Sequence, residues 1–163
     1  MEAGDGEGGG VSGSVATQED YRRLFDYCVG FATQMLADSK AFYPFGAQIG
    51  CDGKLGAVGA DAGEEHPAPG TVIDILIKGF SDAVAANRIR ACCLCFDGTW
   101  RPNAEGEKSD AVICIVEHCD GGTIRFAVPY AISDGRQVTT RTPIAEELSI
   151  KQFPWRSTPP NAG

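Results

Sequence analysis

The sequence predicts an α+β domain in which an antiparallel sheet of about five strands carries two amphipathic helices, in the order helix, strand, strand, helix, strand, strand, strand. Three observations predict it. Four Asp-Gly pairs, at Asp52-Gly53, Asp97-Gly98, Asp120-Gly121 and Asp134-Gly135, stand beside apolar runs, and Asp-Gly readily takes the positive φ that tight hairpins demand. Two other segments repeat apolar residues every three or four positions, the period of a helix with one buried side. Of the 163 residues 43% are hydrophobic, enough to bury one continuous core without disulfides or metal.

Thr17-Gln18-Glu19-Asp20 reads as the start of the first helix, with Thr17 as N-cap and the acidic residues facing the helix dipole. Tyr21, Leu24, Phe25, Cys28, Phe31, Ala32, Met35 and Leu36 form its apolar stripe as far as about Asp38. Tyr43-Pro44 ends the helical register, and Phe45, Ala47, Ile49 and Cys51 then alternate with Gly46, Gln48 and Gly50 as a strand with one buried face. Asp52-Gly53 turns this strand into a second one, Lys54 to Ala60, whose small residues let a helix or backbone come close. After a polar loop over 61–70, Thr71 is the expected N-cap of the second helix, with Asp74 completing the capping pattern and Pro69 blocking an earlier start. Val72, Ile73, Leu76, Phe80, Ala83 and Val84 form its stripe, which Ile75 and Ile77 broaden.

Asn87-Arg88 close that helix. Arg90 to Phe96 is a strand apolar on both faces that Asp97-Gly98 is expected to end. A charged loop over 102–109 leads to Ala111 to His118, and Asp120-Gly121-Gly122 turns it into Thr123 to Tyr130, the best-defined hairpin. Beyond Pro129, Gln137 to Arg141 is a candidate short strand and Thr142-Pro143, with Glu146 and Glu147, a candidate short helix. Residues 1–16, acidic and glycine-rich, read as a disordered tail, 17–152 as a single domain, and 153–163 as a C-terminal tail in which Trp155 is the residue to anchor.

Lys and Arg number 14 against 22 Asp and Glu, and the resulting net charge of -8 repels phosphate backbones and anionic lipid. Neither nucleic acid nor membrane is therefore an expected partner. An odd count of 7 cysteines, three of them crowded at Cys92, Cys93 and Cys95, predicts free thiols in a reducing, cytoplasmic setting.

The element order over Thr17 to Tyr130 resembles the roadblock and longin group of the profilin-like architecture. That resemblance implies a dimeric scaffold or a binding partner rather than an enzyme. Phe42-Tyr43-Pro44-Phe45-Gly46-Ala47 is similar to the strand that opens cytidine deaminases, but this chain holds no Cys-x-x-Cys and no Cys or His followed by Ala-Glu on the second helix, so zinc deamination is excluded. The same phrase, taken with the later Glu117-His118 and Pro129-Tyr130 pairs, also resembles uncharacterised bacterial proteins, a resemblance that implies no activity.

Three groups of residues are candidates for function. Cys92, Cys93, Cys95, Cys114 and Cys119 with His118 fall on two adjoining strands, where one face gathers three or four ligands only if the pairing register delivers Cys114 or Cys119. Core packing is the simpler reading, with no metal and no cofactor expected. Glu117 and His118, near Asp97 across a hairpin, offer acid and base groups for a small hydrolase, with Arg101 orienting an anion, although strand-end polar residues ordinarily face solvent. Trp100, Arg101 and Trp155 are hot-spot residue types expected at the surface. The leading expectation is a non-catalytic module that binds another protein or pairs with itself as a homodimer. The alternatives are that hydrolase and an acidic inhibitor of a basic protein, which requires a one-sided acidic patch.

Overall fold

The computed structural model describes residues 14–155, so the expected N-terminal tail up to residue 13 and the C-terminal residues from 156 lie outside the described residues. Helix α1 (Val15–Ser39) starts earlier than its sequence signal, because Ser14 and not Thr17 is the N-cap: the Ser14 hydroxyl accepts from the Thr17 backbone N–H at 3.1 Å. Lys40, in the left-handed region at φ 65°, closes the helix by donating its N–H to the Leu36 carbonyl. Strands β1 (Phe45–Gly50) and β2 (Leu55–Val58) form the expected hairpin, in which Gly53 takes φ 88°. Helix α2 (Pro69–Ala85) begins two residues before Thr71, since Pro69 suits the first turn, where its missing N–H costs nothing.

Strand β3 (Ile89–Trp100) runs through Asp97-Gly98 instead of ending there, and reverses only in the following loop into β4 (Ser109–His118). Glycine is needed at position 98 for room, because a Cβ there would lie 2.8 Å from Ile113 Cγ1. Strand β5 (Thr123–Ile132) completes the second hairpin, and β6 (Val138–Thr140) is the short strand expected from Gln137 to Arg141. Thr142-Pro143 opens a strand, β7 (Ile144–Leu148), and not a helix. The sheet thus has seven strands where about five were expected, in the spatial order β2-β1-β3-β4-β5-β6, with every pairing antiparallel. Strand β7 also pairs β5, so that β6 lies against Tyr130–Ile132 and β7 against Thr123–Ala127 along one outer edge. No helix of the described residues is long and apolar enough to cross a membrane.

One face of the sheet is covered by α1, which packs across β1, β3 and β4. Leu24, Cys28, Ala32 and Leu36 meet Ala47, Ile49, Val112, Val116 and Val128 in the larger core. On the other face α2 packs on β3 and β1, and Leu76 and Phe80 meet Cys92 and Leu94. Gly46 sets how closely α2 approaches, because a Cβ on it would lie 2.6 Å from Phe80 Cζ and 2.7 Å from the Cys93 carbonyl oxygen. Gly46→Ala is therefore expected to cost about 1–3 kcal/mol through overpacking, read as a lower urea midpoint with an unchanged slope.

Candidate functional site

The structure does not bring Glu117, His118 and Asp97 together. Adjacent on β4, Glu117 and His118 point to opposite faces, and neither faces solvent as a strand-end residue would: their exposures are 1% and 2%. Asp97 pairs with Val112 while His118 pairs with Ala91, so six residues of strand, about 20 Å, separate them. Asp97 accepts a 2.8 Å hydrogen bond from the Tyr130 hydroxyl, and burial, aided by the charge of Asp110, holds its carboxyl above the ordinary value against that bond.

On the α2 face, both oxygens of the Glu117 carboxylate accept hydrogen bonds from the C-terminal segment. Oε1 accepts from the Thr123 hydroxyl at 2.9 Å and the Gln152 N–H at 2.8 Å, and Oε2 from the Phe153 N–H at 2.8 Å and the Trp155 indole at 2.6 Å. Phe153 then packs edge-on against Phe80 of α2, with ring centroids 6.0 Å apart. Trp155 is consequently half-buried against the α2 cluster, with its indole N–H engaged by Glu117.

On the α1 face, the His118 Nε2–H donates to Asp20 at 2.8 Å while Nδ1 accepts the Asp120 backbone N–H at 3.0 Å. With both ring nitrogens engaged, His118 has no position from which to take a substrate proton. Arg90 adds a bidentate pair to Asp20, at 2.9 and 3.1 Å. A β-bulge between Ile49 and Gly50 shifts the register of β3 there, which turns Arg90 toward α1 and Ile89 toward α2. Burial works against the charged form of Asp20, but the bonds from Arg90 and His118 outweigh it and hold the carboxyl below its usual range. Nearby, the Tyr21 hydroxyl donates to the Gly122 carbonyl at 2.6 Å, and burial pushes it up to about 12.

The cysteines divide by face. Cys92 points toward α2, whereas the register that pairs Cys95 with Cys114 brings Cys93, Cys95 and Cys114 under α1, where Cys28 meets them. All four of these are fully buried, and the Cys95 and Cys114 Sγ atoms are 3.7 Å apart.

Trp100 and Arg101 are the predicted residues that the structure does gather. They line a cavity of about 320 Å³ with Thr99, Lys108, Arg125 and Glu146. It exists because α2 covers β1 and β3 and leaves the β4–β5–β7 end of the same face without a helix. Three cations and one carboxylate surround the cavity in a chain whose net charge is -8. Glu146 lies opposite Arg125 in the β5–β7 register, and Arg101 donates to the Ala104 carbonyl at 3.2 Å. Ile115, directly opposite Arg125 on β4, belongs to a second hollow of about 410 Å³ with Leu148 and Ile150, and Ile150 is 74% exposed. A basic recess with an indole wall thus adjoins an apolar one. Neither lining holds a His, a Cys or a paired acid and base.

No family model, curated protein or solved structure matches the chain. Sequence reading missed Lys108, Arg125 and Glu146 in the basic recess because the β5–β7 pairing joins the last two and the loop into β4 delivers the first. Arg125, a lone cation inside an apolar strand, was the signal that pointed outward.

Proposed function

We propose that the chain is a non-catalytic protein-binding module that recognises an acidic segment carrying an apolar anchor, at the uncovered β4–β5–β7 end of the sheet. The observation that carries this reading is the local reversal of charge: Arg101, Lys108 and Arg125 gather at one recess on an otherwise acidic protein, beside Trp100 and the Ile115, Leu148 and Ile150 hollow. Partner carboxylates pair with the guanidinium and ammonium groups, and an apolar side chain fills the neighbouring hollow. The groups suggested for hydrolysis lie in three separate places, with their polar atoms engaged in internal bonds, which favours binding over catalysis.

Titration of the full chain with a Glu/Leu decapeptide, and separately with a Lys/Leu decapeptide, tests the reading by NMR. The acidic peptide is expected to shift the Trp100 indole and Arg125 amide signals saturably, and Arg125→Glu to weaken binding by about 10-fold or more. Equal responses to both peptides, or shifts confined to other surfaces, would overturn it. Sedimentation equilibrium of the free protein separates capture of a partner from pairing of two copies.

A further inference from the structure

We propose that the basic recess receives the side chain of a phosphotyrosine in the partner segment, with the ring on the recess floor and the phosphate among the cations. This names the ligand of the site already put forward for acidic segments, and it rests on that reading. The floor is apolar: Ala127 lies directly opposite Ile144 in the β5–β7 register, and Trp100 packs against the buried cluster that Ala127 forms with Ala111 and Ile113. The rim is charged. Arg125 and Glu146 face each other two residues further along the same strands, while Arg101 and Lys108 stand at the two ends of the loop beyond the Trp100–Ser109 pair. An apolar floor beneath a cationic rim suits a flat group that ends in an anion. At about 320 Å³ the cavity stands at the small end of ligand sites, which run to about 300–1,000 Å³, so it takes one ring and not a length of chain.

Three cations against one carboxylate leave an excess of two positive charges at the rim. A single glutamate answers one of them, whereas a phosphate monoester carries about -1.5 to -2 near neutral pH and answers both. Among the described residues the side chains of Lys108 and Arg125 have no hydrogen-bond or ion-pair partner, and Arg101 spends one N–H on the Ala104 carbonyl. Their remaining donors are free for phosphate oxygens, which a guanidinium takes two at a time. Length decides among phosphorylated residues. The short arm of a phosphoserine leaves Trp100, Ala127 and Ile144 uncovered, while the ring of a phosphotyrosine buries that floor and meets the indole in an offset or edge-on contact. The neighbouring hollow of Ile115, Leu148 and Ile150 takes an apolar residue of the same segment, which favours a peptide over a mononucleotide.

The test titrates the full chain with decapeptides of one acidic, leucine-containing sequence that carry Glu, Tyr, phosphotyrosine or phosphoserine at the central position, followed by NMR. The phosphotyrosine peptide is expected to bind about 10-fold or more tighter than the tyrosine and phosphoserine peptides and to shift the Trp100 indole signal most. Its affinity is expected to fall as pH drops through about 6, where the phosphate takes its second proton and loses a charge. The Glu peptide should hold its affinity until about pH 4–5, where its own carboxylates protonate. Arg125→Gln is expected to remove most of the advantage of the phosphate, and Trp100→Leu to abolish the preference for phosphotyrosine over phosphoserine. Equal affinities for those two peptides, tighter binding of a nucleoside monophosphate or of inorganic phosphate alone, or a flat profile between about pH 5 and 7 would overturn the proposal. If the Glu peptide still binds at Trp100 and Arg125 in that event, the acidic-segment module stands without this ligand; if no peptide binds there, both fall. Should the two variants not fold, the comparison of peptides on the unaltered chain decides alone.

Discussion

Glu117→Gln is expected to lower stability by about 2–4 kcal/mol and to release the C-terminal segment, although the side chain keeps its size. The carboxylate is an acceptor at both oxygens, whereas an amide is an acceptor at one and a donor at the other. One oxygen receives Thr123 and Gln152 and the other receives Phe153 and Trp155, so either orientation of the amide sets an NH₂ against N–H or O–H donors. Because the site is 1% exposed, water cannot take over the orphaned bonds. The measurement is urea unfolding followed by tryptophan fluorescence in a Trp100→Phe background, which leaves Trp155 as the reporter. A red shift of its emission at zero denaturant is expected along with the lower midpoint. An unchanged midpoint and spectrum would mean that these bonds contribute nothing to holding the segment.

Asp20→Asn is expected to have an equal or larger effect, about 3–5 kcal/mol at neutral pH, because it removes the charge that Arg90 and His118 share. Its pH dependence distinguishes it from a packing defect. The folded-state pKa of Asp20 is depressed, so its contribution is fully present above the unfolded value of about 3.9 and is lost as pH falls through the lower folded value. The gap between the two proteins should accordingly be widest near neutrality and narrow in strong acid. Urea midpoints compared over that range check it, and a constant gap would assign the loss to shape instead of charge.

Much of the framework was legible because it depends on neighbours in sequence. The stripe Leu24, Cys28, Ala32 and Leu36 gave α1, and Gly53 with its flanking alternation gave the first hairpin. What the chain hides is set by partners far along it. Glu117 and His118 look like solvent-facing residues before a turn, yet one is buried by donors 35 to 38 residues later and the other by Asp20, 98 residues earlier. Strand β7 reads as the start of a helix from Thr142-Pro143 with Glu146 and Glu147, but pairing with β5 overrides that weak local preference. The bulge that re-aims Arg90, and the particular strand residues that Cys28 meets, are set by pairings that no local period records. The basic recess was half visible, through Trp100 and Arg101.

The bonds from α1 to the far end of the second hairpin also set a schedule for folding. Asp20 waits for His118 across 98 residues and Tyr21 for Gly122 across 101, while the strand pairs β1–β2, β3–β4 and β4–β5 close over short loops. Closing the longer spans first would be entropically expensive, so the hairpins form the nucleus and the first helix docks late. Substitutions at Asp20 or Tyr21 should then leave the refolding rate nearly untouched and appear almost wholly in the unfolding limb of a chevron plot.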